Sequence, residues 1–463
     1  MRIRQTLLFI ALATAAMSAQ AADGDLATGW GLFGSGRSVI AFDAGPSQTD
    51  QGADSVAGPD GSLYLAATVI DEDGKQRIGV SKLNPSGVLD LSFSTDGKNL
   101  SLKTDVVATG IALNIADNSI LVSGYSTANG ADTDMVVCRF FLSNGSNRNF
   151  PAPVSDPCVT VDDFPGSQDY ARDIVVQPDG KFVVAGTMAP GAPTARYAAF
   201  ARFNADGSRD TGFGTLQGSN VTQIRRENSF ISHDIRAVAV ASNGKIVGVG
   251  STTVAGSSDL SALVVRLNTN GTQDSLSPFQ EYAFSTDGSA NLDTVLRDVV
   301  LVDTADAEDD AYVAGYVELS ASRKGGVLAK LLRSNVLNND FGAADQGYVT
   351  NSVANANLEF VKLMRRPGGG GFFTLGVRND QDAGDFDVRC YSDDGRLSNA
   401  FGTAGVKTID FLLPGAIDLP VAIGFGGGGI LLGGYSYISA TNYDVVAAKL
   451  EWDRIFGDGF IAP

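Results

Sequence analysis

Short apolar, β-prone runs joined by polar turns recur along the whole chain, and they are clearest within Ala171–Gly214. Two of these runs are Ile174–Val176 and Phe182–Gly186, with the pair Asp179-Gly180 between them. An Asp-Gly pair between apolar runs predicts a β-hairpin with a type I′ turn, because both of its central residues need positive φ and these two residue types tolerate it. A third run, Tyr197–Asn204, follows.

This pattern occurs seven times, and the copies align on the small residue that closes the second apolar run. The aligned residues are Ala67, Gly124, Gly186, Gly250, Gly315, Gly376 and Gly434. Successive copies are 57 to 65 residues apart. Six positions before the aligned residue, most copies carry a turn residue, namely Gly61, Asn118, Gly180, Gly244, Gly370 and Gly428. A fourth, less regular β-like segment opens each copy.

Four short strands per unit of about 60 residues, with no apolar spacing typical of a helix, cannot bury their own faces and must pack on neighbouring units. A closed ring of blades meets this need. An open β-solenoid is the alternative, but its repeats are usually about 20 to 30 residues long and its ends need caps. We therefore predict an all-β fold, a β-propeller of about seven four-stranded blades built from repeats of about 60 residues.

The two ends of the chain are expected to meet in the last blade. Trp30–Gly34 resembles the segments that end other units, such as Gly212–Gly214 and Ala400–Gly402. The chain would then begin with an opening strand and end after a third-run strand. We predict that Val39–Phe42 completes the last blade and closes the ring.

The first 21 residues have the layout of a secretory signal peptide. Arg2 and Arg4 form a basic start, Leu7–Ala16 is apolar, and Ala19–Ala21 is a small-x-small cleavage site. A membrane anchor is the alternative, but the apolar run is shorter than the roughly 20 residues that a spanning helix needs. We expect residues 1–21 to be removed and residues 22–463 to form a single propeller domain that is exported and not inserted in a membrane.

The charge and the cysteine content of the chain limit which partners it can bind and which cysteine sites it can form. The formal net charge is −18, which repels phosphate backbones, so we expect no nucleic-acid binding. Three cysteines exclude a disulfide-dense scaffold and a multi-cysteine zinc site. Cys138 and Cys158 fall in the same repeat and are a disulfide candidate, while the alternative is that all three cysteines are buried thiols. Both readings stay open, and a bridge would leave Cys390 free.

The third copy carries a resemblance to a known family. Gln177–Gly186 followed by Ala201–Asp210 resembles the Delta-60 repeat family of bacterial β-propeller-like proteins, and Asn243–Ile246 of the fourth copy resembles it as well. The resemblance implies seven Delta-60-like repeats, a secreted or surface location, and no shared catalytic residues. Asp453–Phe460 also resembles a short aromatic-glycine tail of exported proteins in some Gram-negative bacteria, which implies secretion, the cell surface or the periplasm of such a bacterium; the alternative is that this segment is the end of a repeat.

Catalytic and phosphate-binding motifs are scarce. His233 is the only histidine, and it occupies the place of Tyr170 just before an apolar run, so we interpret it as a residue that leads into a blade. The Gly-rich stretches Gly368–Gly371 and Gly426–Gly429 are not followed by Lys-Ser/Thr or a helix, as a P-loop requires. Both stretches occupy hairpin-turn positions, and we predict turns there.

Calcium is the one metal that the sequence suggests, since acidic residues cluster on three predicted loops. These loops are Asp71–Gly74, Asp303–Asp310 and Asp380–Asp387. None has the spacing of a twelve-residue calcium loop, and solvated acidic loops are the alternative. The candidate ligands are Asp71, Asp73, Asp306 and Asp309, and we expect the three clusters to gather on one rim of the ring. We expect no other cofactor.

Two classes of function remain. In the favoured one, the protein is a non-catalytic, monomeric exported propeller, a binding or structural scaffold whose rim loops meet a glycan or a protein partner. The alternative is a secreted enzyme, such as a lyase, a hydrolase or a dehydrogenase, with its site at the central tunnel. Trp30 and Trp452 are the only tryptophans, so the tryptophan docking motifs of quinoprotein propellers are missing.

Overall fold

The structure is a computed structural model of an all-β protein. It describes residues 23–45, 48–127, 132–162, 167–189, 196–214, 221–224, 231–254, 256–275, 279–284, 293–303, 309–320, 323–342, 346–380, 383–411, 416–439 and 442–452. The predicted signal peptide, Asp306 and the tail Asp453–Phe460 lie outside these ranges. The described part contains no helix that is long and apolar enough to cross a membrane.

Seven four-stranded units, the blades, follow one another along the chain; five are separate sheets, and blades 7 and 1 are joined into one eight-stranded sheet. A short strand, β1 (Arg37–Ile40), precedes them, after a 3-10 turn at Leu32–Gly34. Blade 1 consists of β2 (Gln48–Ala57), β3 (Leu63–Ile70), β4 (Gln76–Leu83) and β5 (Lys98–Thr104). Blade 2 consists of β6 (Val106–Asn114), β7 (Ser119–Ser126), β8 (Met135–Phe141) and β9 (Cys158–Val161). Blade 3 consists of β10 (Tyr170–Val176), β11 (Phe182–Met188), β12 (Tyr197–Phe203) and β13 (Val221–Ile224).

The remaining blades have the same order of strands. Blade 4 consists of β14 (His233–Val240), β15 (Ile246–Thr253), β16 (Leu260–Leu267) and β17 (Phe279–Tyr282). Blade 5 consists of β18 (Thr294–Val302), β19 (Asp310–Ser320), β20 (Arg323–Leu331) and β21 (Tyr348–Asn351). Blade 6 consists of β22 (Ala356–Arg365), β23 (Phe372–Asp380), β24 (Ala383–Tyr391) and β25 (Val406–Ile409). Blade 7 consists of β26 (Ile417–Gly426), β27 (Gly429–Ser439), β28 (Asn442–Glu451) and β1.

Strand β1 closes the ring by completing blade 7. It pairs antiparallel with β28, with Val39 opposite Val446 and Ile40 opposite Val445. Strand β28 in turn pairs briefly and in parallel with β2 of blade 1, at Thr49 and Tyr443. The predicted all-β propeller of seven four-stranded blades is confirmed, and so is the predicted closure by the segment around Val39.

The hairpin turns are of a different type from the one predicted. All six turn residues that align in the sequence have positive φ, between 52° and 84°. Asp179 does not, and the N–H of Gly180 donates to the carbonyl of Gln177 at 2.9 Å. This is the pattern of a type I turn followed by a left-handed glycine. The type I′ prediction is wrong because the turn is one residue longer, with Pro178 and Asp179 at its centre; the fourth copy has the same geometry at Gly244 without a proline.

The core is divided among the seven interfaces between blades, each with its own cluster of buried apolar side chains. At the periphery, an aromatic residue that ends one unit lies against a turn glycine of the following blade. The pairs are Trp30 with Gly87, Phe93 with Gly145, Phe150 with Gly207, Phe213 with Gly271, and Phe341 with Gly395. A side chain at these glycines would collide with the ring, so the aromatic-glycine pattern of the sequence is a contact between blades.

Candidate functional site

The first strand of every blade, here called the inner strand, carries a β-bulge at the same place. The extra residues are Ala53, Thr109, Arg172, Arg236, Arg297, Val361 and Val421. In the six blades with a glycine at the aligned position, the backbone near the bulge places a carbonyl oxygen close to the second strand. A Cβ on Gly186 would lie 1.9 Å from the Tyr170 oxygen, which explains why the copies align on a small residue there.

All seven bulge residues line one cavity of about 430 Å³, called the channel mouth from here on. It opens at the upper face of the ring, the end that carries the starts of the inner strands and the hairpins between second and third strands. The hairpins between first and second strands form the lower face. Each of the seven blades contributes one bulge residue, so the channel mouth is formed by the same position of every repeat. The side chain at this position differs between copies, and these differences determine the chemistry of the cavity.

Three consecutive blades place arginines at the channel mouth, and these form its cationic wall. Arg236 Nη2 lies 2.8 Å from Asp234 Oδ2, and Arg172 Nε lies 3.8 Å from the other oxygen of the same carboxylate. Arg297 Nη2 lies 3.3 Å from Glu359, which also binds Lys324 at 2.8 Å. These salt bridges therefore join four cations, the three arginines and Lys324, to two carboxylates.

Aromatic rings lie beside two of the three arginines, Arg172 and Arg297. Arg172 lies 5.3 Å from the centre of the Tyr170 ring, and Arg297 lies 5.5 Å from that of Tyr316. The Nε atoms of Arg172, Arg236 and Arg297 are buried and have no hydrogen-bond partner within the described residues. Burial, followed by the charge of Arg236, lowers the pKa of Arg297, as expected where two guanidinium groups share one wall.

The opposite wall comes from blades 7, 1 and 2 and carries tyrosines in place of arginines. Tyr435 and Tyr125 line the cavity there, together with Gln51 and Thr68. Gln51 Nε2 donates to the Tyr435 hydroxyl at 3.3 Å, and the Tyr125 ring meets the edge of Tyr170 with a centroid distance of 4.9 Å. The channel mouth is thus polarised, with guanidinium groups on one side and phenol and amide groups on the other.

The residues that follow the bulges form a second ring of charges, the channel floor. Asp54, Asp173 and Asp298 come from blades 1, 3 and 5, and Lys362 comes from blade 6. Each aspartate accepts a backbone N–H of the next blade, at 3.3 Å from Ile111, 2.8 Å from Val238 and 2.6 Å from Leu363 respectively. These contacts join the inner strands in pairs.

Burial dominates the electrostatics of the channel floor. It raises the pKa of Asp54 to about 6 and that of Asp298 to about 6, against the opposing charge of Lys362. Burial alone would lower the pKa of the Lys362 ammonium, but Asp54, Asp298 and Asp173 together raise it above its ordinary value. One ammonium therefore balances three carboxylates beneath the arginines.

The three calcium candidates that the structure describes, Asp71, Asp73 and Asp309, do not come together. Asp71 and Asp73 lie in the hairpin between β3 and β4, on the upper face. Asp309 lies between β18 and β19, on the lower face. The expected gathering on one rim is wrong, because successive hairpins of an antiparallel blade lie at opposite ends. Both carboxylates already have protein partners, since Asp71 accepts the Lys75 N–H at 2.8 Å and Asp309 accepts that of Ser242 at 2.9 Å.

One residue of the third acidic stretch does join a cluster of carboxylates. Asp385, Asp410 and Asp418 each place one carboxylate oxygen within 4.8 Å of the others. Asp418 also accepts the backbone N–H of Phe411 at 2.8 Å and the hydroxyl of Ser436, and burial raises its pKa. The cluster is an acidic contact between blades 6 and 7.

The other residues discussed from sequence have structural positions. His233 is the first residue of β14 and is buried. Gly368–Gly371 and Gly426–Gly429 lie at the turns between first and second strands of blades 6 and 7. Cys138 and Cys158 stand opposite each other on β8 and β9, joined by a disulfide, and Cys390 is a buried free thiol.

The arginine wall was not predicted from the sequence. A signal exists, because Arg172, Arg236 and Arg297 stand two residues before the apolar run of the inner strand in three consecutive copies. This signal can be recognised only when the position of the bulge is known, because the bulge turns the arginine of each copy toward the channel.

Three segments of the chain match a family model described as "Domain of unknown function (DUF5122) beta-propeller". They are residues 58–93, 177–213 and 241–276, and each spans the second and third strands of a blade. The chain is therefore a propeller built from β-propeller repeats. No curated protein matches it.

Solved structures resemble the chain at low sequence identity. A protein of unknown function from Dyadobacter fermentans is 12% identical over 90% of this chain and 98% of its own, with a TM-score of 0.43. An α-L-arabinofuranosidase from Fusarium graminearum is 9% identical over 73% of this chain and 92% of its own, with a TM-score of 0.42. Likenesses at this level carry no statement about the activity of this chain.

Proposed function

We propose that this protein is an exported, non-catalytic binding propeller of the Delta-60 type that takes a ligand at the channel mouth. The observation that carries the proposal is the cavity of about 430 Å³ to which all seven blades contribute a bulge residue. A concave site on which polar groups from several elements of a rigid scaffold converge is a usual place for a ligand to bind. The disulfide between Cys138 and Cys158 supports export, because such bonds persist in oxidising compartments.

The partners of the carboxylates favour binding over catalysis. Asp234 is held by Arg236 and accepts the hydroxyl of Thr187, and Glu359 is held by Arg297 and Lys324. Ionised carboxylates with fixed partners serve poorly as general acids. Among the described residues at the channel mouth, the groups left to meet a ligand are mainly donors and rings. An enzyme with its site in this channel remains the competing hypothesis.

Thermal unfolding with a ligand panel tests the proposal. A ligand that prefers the folded state raises the melting temperature, and at 100 times its Kd it adds about 2.7 kcal/mol. The panel consists of neutral and acidic oligosaccharides and short peptides. We expect at least one of these to raise the melting temperature and to be recovered chemically unchanged.

Two tryptophan variants locate the site. Val421→Trp fills the channel mouth and should abolish the shift. Val336→Trp, at a side chain that is 58% exposed on a turn of blade 5, should preserve it. Equal loss in both variants, or a shift that survives Val421→Trp, would place binding elsewhere. Conversion of the ligand by the wild type, lost in Val421→Trp, would establish the catalytic alternative.

A further inference from the structure

The cationic wall of the channel mouth carries more positive charge than its own carboxylates balance. Arg172, Arg236, Arg297 and Lys324 form salt bridges with Asp234 and Glu359, and Lys324 also interacts with Glu318, which stands opposite it on the neighbouring strand. Among the described residues, the four cations of the wall therefore meet three carboxylates, which leaves one positive charge in excess. The arginine side chains of all three blades are 30% exposed, so their excess charge is accessible from the cavity. Such a wall attracts an anion.

Arg172 is the cation with the weakest hold on the protein. Its nearest carboxylate oxygen is 3.8 Å away, and its guanidinium makes no hydrogen bond within the described part of the chain. Asp234 keeps the closer partner Arg236. A guanidinium is planar and presents paired N–H donors that fit a carboxylate. The N–H groups of Arg172 that make no hydrogen bond to the protein can therefore bind a carboxylate of a ligand.

The channel floor limits the charge of that anion. Asp54, Asp173 and Asp298 outnumber Lys362, so the layer below the arginines is acidic when they are ionised. A phosphate dianion would be drawn to the wall and repelled by the floor. A single carboxylate of charge −1 halves both the attraction and the repulsion, and it costs less free energy to take out of water than a dianion does.

The wall opposite the arginines suits a ring with hydroxyl groups. Tyr125 and Tyr435 offer aromatic faces for C–H groups, and Gln51 and Thr68 offer hydrogen-bonding groups. Pro420 and Val421 add an apolar surface between them. The ligand that fits both walls has a carboxylate on one side and a hydroxylated, partly apolar ring on the other.

We propose that the ligand is an acidic saccharide, with the carboxylate of a uronic acid unit bound by Arg172, Arg236 and Arg297 and its ring against Tyr125 and Tyr435. This inference rests on the proposed function and specifies its ligand. The volume of the channel mouth accommodates the end of a chain, so we expect an oligosaccharide to be bound by a terminal unit.

Calorimetric titration with a galacturonic acid trimer tests the inference on the wild-type protein. The free acid is expected to bind, and its methyl ester, which keeps the rings and removes the charges, is expected to bind at least tenfold more weakly. Arg172→Gln should weaken binding of the free acid at least tenfold and leave binding of the ester unchanged. The matched control Arg396→Gln, at an outer side chain that is 72% exposed, should bind the acid like the wild type.

The outcomes separate this inference from the proposed function. Equal binding of acid and ester, abolished by Val421→Trp, would overturn the acidic ligand and leave binding at the channel mouth intact. Tighter binding of an acidic peptide or of inorganic phosphate, dependent on Arg172, would overturn the saccharide. Failure of every acidic probe to bind would overturn the inference as a whole. The comparison of acid and ester needs no variant, so it holds even if a substitution disturbs folding.

Discussion

The ammonium of Lys362 lies 3.5 Å from the carboxylate of Asp54, although the two residues belong to blades 6 and 1 with blade 7 between them. The lysine side chain therefore extends along the channel side of blade 7, and it interacts electrostatically with Asp298 and Asp173 as well. This contact ties the first and the sixth blade across the point where the ring closes. It also supplies the one cation of the channel floor.

Replacing Lys362 by an uncharged residue should lower the free energy of unfolding substantially. In Lys362→Met, the buried carboxylates of Asp54 and Asp298 and the half-buried one of Asp173 lose their counter-charge, and removing one partner of a buried ion pair typically costs about 3 to 5 kcal/mol. Urea denaturation measures the loss. The control is Lys75→Met, whose side chain is 52% exposed in a surface pair with Asp105, and it should cost at most about 1 kcal/mol. A similar small cost in both variants would mean that the channel floor is hydrated and contributes little.

The channel floor should also give an unusual dependence of stability on pH. The pKa of Asp298 is about 6 in the folded state, above its value in the unfolded chain, so between pH 5 and pH 7 the folded state binds more protons. The free energy of unfolding must then fall as the pH rises through this range. Asp298→Asn removes the titration and keeps an oxygen to accept the Leu363 N–H. We expect the variant to lose about 1 kcal/mol less than the wild type from pH 5 to pH 7. Urea denaturation at the two pH values measures these free energies of unfolding. If the wild type and the variant lose the same free energy from pH 5 to pH 7, the raised pKa of Asp298 is contradicted.

The aromatic contacts at the periphery should be major contributors to stability. Phe213 is 2% exposed, lies against Gly271 of the next blade, and stacks 4.6 Å from the Arg202 guanidinium. Phe213→Ala should destabilise the protein by about 3 to 5 kcal/mol, as expected for a buried aromatic ring. Leu91→Ala, at a side chain that is 69% exposed, should change stability by no more than about 0.5 kcal/mol. If the two variants denature at the same urea concentration, the contact between blades does not stabilise the ring.

Counting thiols tests the disulfide. Cys138 and Cys158 are bonded and Cys390 is buried, so native protein should react with no equivalents of a thiol reagent. Protein unfolded without a reductant should show one reactive thiol, and protein unfolded after reduction should show three. Three reactive thiols without a reductant would exclude the disulfide and remove one support for export.

The sequence predicted the propeller because its repeat is visible in single residues. The glycine after the second run stands against the bulge of the inner strand, and the turn glycines have the positive φ that their hairpins need. Val39 could be assigned to the closing strand because Trp30 marks the end of a unit. Each of these signals depends on local backbone geometry, which a short stretch of sequence can encode.

The channel mouth could not be predicted from the sequence, because it depends on contacts between residues that are far apart in the chain. Arg172 and Arg297 are 125 residues apart, and only the closed ring brings them to one cavity. Asp71 and Asp309 are equally acidic in the sequence, yet the alternation of hairpins places them on opposite faces. The repeat fixes where a residue stands in its blade, and the contacts between blades decide what it meets.

Hydrogen exchange of the protein saturated with the galacturonic acid trimer tests the central claim most directly. The account predicts slower exchange of backbone amides in the inner strands next to the bulges, above all around Arg172, Arg236 and Arg297. Amides of the lower-face hairpins, such as Gly180 and Gly244, should exchange as in the free protein. Slower exchange at the lower face or in the outer strands, with none at the bulges, would contradict a binding site at the channel mouth.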